Sequence, residues 1–253
     1  MTEAALFIIG SILGSFFNVV IYRVPRGESI IRPPSACPAC GTRLHARDNV
    51  PVLGYLMLHG RCRYCAAPIS ARYPTVEVLS GALPVLFFVR FGASAPFYVF
   101  WSLSCVLLVL SFIDLDLRII PDKVTLPGIA VGLVVAPLVG LLGFWGSLLG
   151  VLVGGGALYL IGVLGELLLK KESMGGGDVK LAAMLGAFMG WKLILVALFI
   201  AFLVGAVVGV IALARKPKNW DSSLPFGPFI ALGAVLALLW GESAILWYSS
   251  LFG

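Results

Sequence analysis

Five stretches of this chain, residues 4–22, 91–113, 124–165, 193–214 and 222–241, contain no Asp, Glu, Lys or Arg. A helix needs about 20 apolar residues to cross a hydrocarbon core of about 30 Å. Inside lipid its backbone polar groups must be satisfied within the segment itself. Runs of this kind dictate an all-α, polytopic membrane protein and exclude an ordinary soluble domain. With 60% hydrophobic and only 12% charged residues among 253, the composition agrees.

The stretch 124–165 is long enough for two crossings and must fold back. Its expected break is "GLLGFWG", residues 140–146, where glycines loosen the helix and Trp145 suits an interface. Two shorter runs, 74–89 and 178–191, each carry an acidic residue near the start and are marginal by length. Of the 18 Lys and Arg, eight lie in residues 23–72 and eight more in three loops: Arg118 and Lys123; Lys170, Lys171 and Lys180; Arg215, Lys216 and Lys218. If both short runs span, all four basic segments fall on one side, as the positive-inside rule expects, and only Arg90 and Lys192 fall on the other. The expectation is eight spans with both termini outside. Glu3 in place of a basic n-region, and no clear cleavage site, make residues 4–22 a retained first helix instead of a signal peptide.

The one sizeable polar segment holds "CPAC" (Cys37, Cys40) and "CRYC" (Cys62, Cys65). Two C-x-x-C hooks are what a tetrahedral four-cysteine zinc site needs, at a gap slightly longer than usual. A pair of disulfides is the alternative, disfavoured if the loop faces a reducing cytoplasm. With four protein ligands such an ion staples the loop and has no open position for catalysis. Cys105 reads as a small buried hydrophobe, and His45 and His59 as solvated loop residues. The loop's basic excess suits an anionic membrane surface better than nucleic acid.

Ionisable groups at membrane depth are expensive and each suggests function. Glu77 in the first turn of its helix, and Glu166 and Glu242 near interfaces, have adequate structural explanations. Asp114, in "SFIDLDLRIIPD", falls in the last turn of the third helix, where the helix dipole opposes a negative charge; Asp178, in "SMGGGDVK", opens the sixth. The topology brings both to one face. Two adjacent carboxylates share a proton, which equips them as one base and one acid for hydrolysing a peptide without a metal or a nucleophilic side chain. Gly175, Gly176 and Gly177 would then give an extended substrate room beside Asp178. Equally, the glycines form a turn and Asp178 caps the next helix.

The sequence closely resembles the type IV prepilin leader peptidases, membrane aspartic proteases of the GxGD class. "GSFFNVVIYRVP", "CPACG" with "GRCRYCAAPISARYPTVE", "FIDLDLRIIPD", "GGGDVKLAAMLGAFMGW" and "LPFGPFIALG" are similar to five motifs of that family, in order and over nearly the whole chain. The resemblance implies Asp114 and Asp178 as the catalytic pair, with Asp116 the main rival for the first role and Asp122 a weaker one. It implies cleavage of a basic leader from type IV prepilins or type II secretion pseudopilins, then N-methylation of the new terminus with S-adenosylmethionine. No G-x-G-x-x-G follows a predicted strand, so the methyl-transfer reading rests on resemblance and its residues are unassigned. Also implied are a bacterial inner-membrane location, with loop and aspartates cytoplasmic, and three regions: a first helix (1–23), a tetracysteine loop (24–73) linked to methyl transfer, and a seven-helix peptidase domain (74–253). The glycines of "GVLVGGG" could pack a substrate stem or the protein's own helices. Pro225 and Pro228 could mark a helix start or a re-entrant substrate surface. A non-enzymatic transporter relaying protons through the two aspartates, and a scaffold docking a partner on the loop, are the rival functions.

Overall fold

The computed structural model describes residues 2–45, 48–170, 174–214 and 224–251. The expected basic loop at 215–218 and Lys171 lie outside the described residues. The chain is helical, with α1 Glu3–Arg23, a short α2 Leu53–Met57, α3 Arg72–Phe91, α4 Ala95–Leu117, α5 Asp122–Leu138, α6 Phe144–Leu169, α7 Gly176–Ala214 and α8 Gly227–Ser250. Among the described residues six helices are long and apolar enough to cross a membrane. At 17 residues α5 is slightly shorter, and the fold-back expected near Gly140 is present between α5 and α6, where Gly140 takes φ 72°.

The expected pair of spans at 178–191 and 193–214 is one element, α7, of 39 residues. Straight, it would measure about 58 Å, far beyond one crossing. It is divided at Gly190, whose φ 71° and ψ 173° are not helical, so the described residues contain eight helical segments longer than α2. The first part of α7 was marginal by length because it does not face lipid: every residue from Leu181 to Gly190 is buried.

Two compact units are present, Met1–Val109 and Leu110–Gly253, with α4 contributing to both. In the first, α1 packs on α3. Their backbones come close at Gly14, where a Cβ would lie 2.8 Å from the Glu77 Cα. Pro25 and Gly27 (φ 70°) end α1 through a 3₁₀ turn at Val24–Arg26. In the second unit α7 is the hub, against α5, α6 and α8. Gly150 of α6 meets Gly186 of α7 backbone to backbone, and Gly154 and Gly155 also face α7. Three of the "GVLVGGG" glycines therefore pack the protein's own helices and are not open to a substrate stem. α8 runs on to Ser250, past the expected end at 241, because residues 243–250 remain apolar enough to stay helical. Glu242 consequently lies within the helix and not near its end.

Candidate active site and metal centre

Three helix ends converge in the second unit. α4 stops just after Asp114, where Arg118 turns left-handed (φ 56°) and donates its N–H to the Asp114 carbonyl at 2.8 Å. The Asp114 side chain is 5% exposed, and its Oδ2 accepts the Gly227 N–H at 3.0 Å. Gly227 opens α8, so the carboxylate sits on the positive end of a helix dipole. The dipole of its own helix opposes the charge, as expected, and α8 supplies the compensation. Pro228 follows in the first turn of α8, so "PFGPF" is a helix start and not a re-entrant surface.

Asp178 lies in the first turn of α7. Its backbone N–H binds the Gly175 carbonyl at 3.1 Å, and its carboxylate is hydrogen-bonded in return by the Gly175 N–H. α7 begins at Gly176, so Asp178 stands at its third position and is not the N-cap expected. Of its two carboxylate oxygens, Oδ1 is buried with no hydrogen-bond partner, which is costly unless something else uses it. Asp114 acts electrostatically on Asp178. Ile120 lies between their helix ends: a Cβ at Gly177 would sit 3.0 Å from the Ile120 Cβ, and one at Gly227 would sit 3.2 Å from its Cδ1.

The three glycines before Asp178 differ in role. Gly175 makes room for the Asp178 carboxylate and Gly177 for Ile120, and only Gly176 faces open space. The other acids are placed elsewhere. Asp116 is exposed, two residues and about 200° around α4 from Asp114. Asp122 is paired with Lys180 at 2.7 Å.

In the first unit, Cys37, Cys40, Cys62 and Cys65 offer sulfurs all within 4.8 Å of one another, with Cys37 and Cys65 3.8 Å apart. A tetrahedral ion with Zn–S bonds of about 2.3 Å needs sulfurs about 3.8 Å apart. All four are free thiols, so the residues fit the ion. The hooks are built alike. Cys37 N–H binds the Thr42 carbonyl (2.9 Å) and Cys62 N–H the Ala67 carbonyl (2.8 Å), while Gly41 and Ala66, both with positive φ, return to the first cysteine.

The four thiols differ electrostatically. Thr42 hydrogen bonds lower the Cys40 thiol to about 6. For Cys65 the Ala67 backbone favours the thiolate, but desolvation and crowding by Cys62, Cys40 and Cys37 prevail and push it up to about 12. A divalent cation relieves such repulsion.

Two residues of this unit carry more than the sequence indicated. Asp48 accepts from Arg63 Nε (2.6 Å), Tyr64 Oη (3.0 Å) and the His45 N–H (3.2 Å), tying the second hook to the stretch between the hooks. Desolvation opposes its charge, yet these bonds hold its carboxyl below the ordinary range. Glu77 is not in the first turn of its helix, since α3 begins earlier, at Arg72. It is 8% exposed and accepts the Val52 N–H at 2.7 Å. Its position as the lone acid of an apolar helix was the available signal.

Comparison with known proteins gives two family matches: residues 8–91 match the Bacterial Peptidase A24 N-terminal domain and residues 101–210 the Type IV leader peptidase family. The chain is 36% identical to a prepilin leader peptidase/N-methyltransferase of Aeromonas hydrophila, over 98% of this chain and 93% of that protein. Proteins of the same name from Pseudomonas putida (37%, covering 93% and 89%) and Burkholderia pseudomallei strain 1026b (38%, covering 95% and 86%) are also similar. No solved structure matches.

Proposed function

The chain belongs to the type IV leader peptidase family, and from that premise we propose that it is an integral-membrane aspartic endopeptidase that removes the leader from prepilins or pseudopilins and N-methylates the new terminus. Asp114 and Asp178 are the catalytic pair of this reading. One carboxylate takes a proton from a water whose oxygen attacks the scissile carbonyl carbon. The other gives its proton to the leaving nitrogen as the C–N bond breaks. The pair ends with its proton exchanged, ready for the next turn. What supports the proposal is that Asp114 is anchored by Gly227 at the start of α8, that Asp178 keeps a buried oxygen with no hydrogen-bond partner, and that Gly177 and Gly227, beside the two acids, both approach Ile120.

The four cysteines hold a structural zinc, and S-adenosylmethionine supplies the methyl group. The distribution of basic residues supports an inner-membrane location with the cleavage chemistry on the cytoplasmic side. A prepilin places its basic leader in that compartment and its apolar stem in the bilayer, which locates the scissile bond at the interface. Proton relay by a transporter would also use buried acids, but nothing here favours it.

The test is leader removal from a prepilin by purified protein, read by mass. Asp114→Asn and Asp178→Asn are each expected to slow cleavage by about 100-fold or more, and Asp116→Asn to leave it near wild type. Cleavage surviving Asp114→Asn would remove Asp114 from the pair.

A further inference from the structure

The polar segment between α1 and α3 contains a helix whose surface is wrong for water. On α2, Leu53, Leu56 and Met57 are 57%, 60% and 74% exposed, and their spacing of three and four puts them on one face. Gly54 is turned inward, where a Cβ would lie 2.8 Å from the Asp48 carbonyl oxygen, and Tyr55 meets Gly60. At five residues α2 is too short to hold its form alone. Contacts therefore fix where it lies.

Those contacts set its depth. The Val52 N–H, just before α2, donates to Glu77 of α3 at 2.7 Å, and Glu77 is also hydrogen-bonded to Ser15 of α1. α1 and α3 run antiparallel, with Gly14 against Glu77, Gly10 against Ser80 and the Asn18 side chain donating to the Tyr73 carbonyl at 3.2 Å. Tyr22 and Tyr73, both exposed, stand at the polar ends of the two helices, the level where tyrosine settles between headgroups and acyl chains. Glu77 lies about 6 Å along α3 from Tyr73, and Ser15 about 10 Å along α1 from Tyr22. Val52 is thus held about 6–10 Å on the bilayer side of the tyrosine level.

The backbone there is built for a poorly hydrated place. The Leu53 N–H binds the Pro51 carbonyl, Gly54 binds Val50, Leu56 binds Val52 and Leu58 binds Gly54, so these donors do not depend on water. Cations flank the site at the level of the headgroups. Arg26 stacks on the Tyr22 ring at 4.0 Å, and Arg23 donates to the Ser29 and Pro33 carbonyls, which are neutral acceptors.

We propose that α2 is an interfacial anchor: its Leu53, Leu56 and Met57 face is covered by phospholipid at the boundary of headgroups and acyl chains, with Arg23 and Arg26 beside anionic headgroups. Insertion by about 5–10 Å is the usual depth for such a helix, and the lipid-facing surfaces of α1 and α3 continue into it. The segment carrying the four cysteines is then a membrane-surface structure, held at its middle as well as at its two ends. The inference needs only the membrane-spanning helices and stands whether or not the chain removes leaders.

The experiment uses full-length protein in vesicles of phosphatidylethanolamine and phosphatidylglycerol, with the photo-crosslinking residue p-benzoyl-phenylalanine in place of Leu56, and in place of Ile8 on the exposed face of α1 as a reference. An unchanged melting temperature checks folding. Irradiation is expected to add the mass of one phospholipid at both positions. A crosslink from position 56 to protein, within the chain or to a second copy, would overturn lipid as the occupant. A lipid adduct at position 8 alone would place the α2 face in water and overturn the anchor. In the same vesicles Leu56→Asp should make the cysteine segment about tenfold more sensitive to added protease, because a carboxylate is expelled from that depth. Equal sensitivity of Leu56→Asp and wild type would also overturn it, since a water-facing position tolerates the charge.

Discussion

At the scale of single residues, the second unit shows how one backbone N–H can define a site. Gly227 donates to Asp114, and a Cβ in its place would lie 2.7 Å from the same carboxylate oxygen. Gly227→Ala should therefore displace Asp114 without emptying any core space. Leader cleavage is expected to fall by about 10- to 100-fold with little change in melting temperature, and an unchanged rate would mean that Asp114 does not depend on this anchor. The Asp122–Lys180 pair lies close by in sequence but is different in kind. Its side chains are 52% and 39% exposed, so solvent screens it, and a double-mutant cycle should give a coupling of only about 0.2–1 kcal/mol. Asp48 has a pH signature. Its folded carboxyl titrates below its unfolded value, so its contribution is complete above about pH 4 and is lost as pH falls through the folded value. Protease resistance of the loop should follow that course and should lose its acid limb in Asp48→Asn.

At the scale of elements, small residues decide where helices meet. Gly150 and Gly186 bring α6 and α7 into backbone contact, leaving no space for a methyl group, whereas Gly156 on the same helix has nothing within 4 Å. Gly186→Ala should destabilise the second unit by about 1–3 kcal/mol through overpacking. Gly156→Ala should raise stability by about 0.5–1 kcal/mol, because alanine loses less backbone entropy in a helix. Thermal unfolding in detergent compares the two, and similar shifts of the same sign would refute the packing account. The first part of α7 follows the same logic. Buried on every side from Leu181 to Gly190, it need not match the thickness of a bilayer, and its length alone left its status open.

At the scale of the whole molecule, the proposed cleavage pair and the cysteine cluster belong to different compact units. Among the described residues, the segment between the two cysteine hooks has the five-residue α2 as its only α-helix, so a metal bound by the four cysteines would supply folding free energy for that segment. Asp114, Ile120, Asp178 and Gly227 all belong to the second unit. Stripping metal with a strong chelator should make the cysteine segment sensitive to protease and abolish methyl transfer. Leader cleavage should persist within about twofold, since acid–base catalysis by two carboxylates needs no metal. Parallel loss of both activities would show that the units do not act separately.

Much of this was legible in the chain itself. Uncharged runs of membrane length left only helices available, since lipid offers backbone groups no other partner. Two C-x-x-C hooks specified a four-sulfur cluster, and Asp114 and Asp178 stood out because carboxylates are costly beside apolar runs. Contacts between distant segments decided the rest. Asp114 is distinguished from Asp116 by which face of α4 meets the start of α8, 113 positions away in sequence, and the division of α7 at Gly190 depends on the helices packed around it. Likewise the buried Glu77 has a partner only because the chain folds back to bring the Val52 N–H to it. Local composition limits what a segment can be, but the partner of a buried polar group is chosen by tertiary packing, which no local pattern encodes.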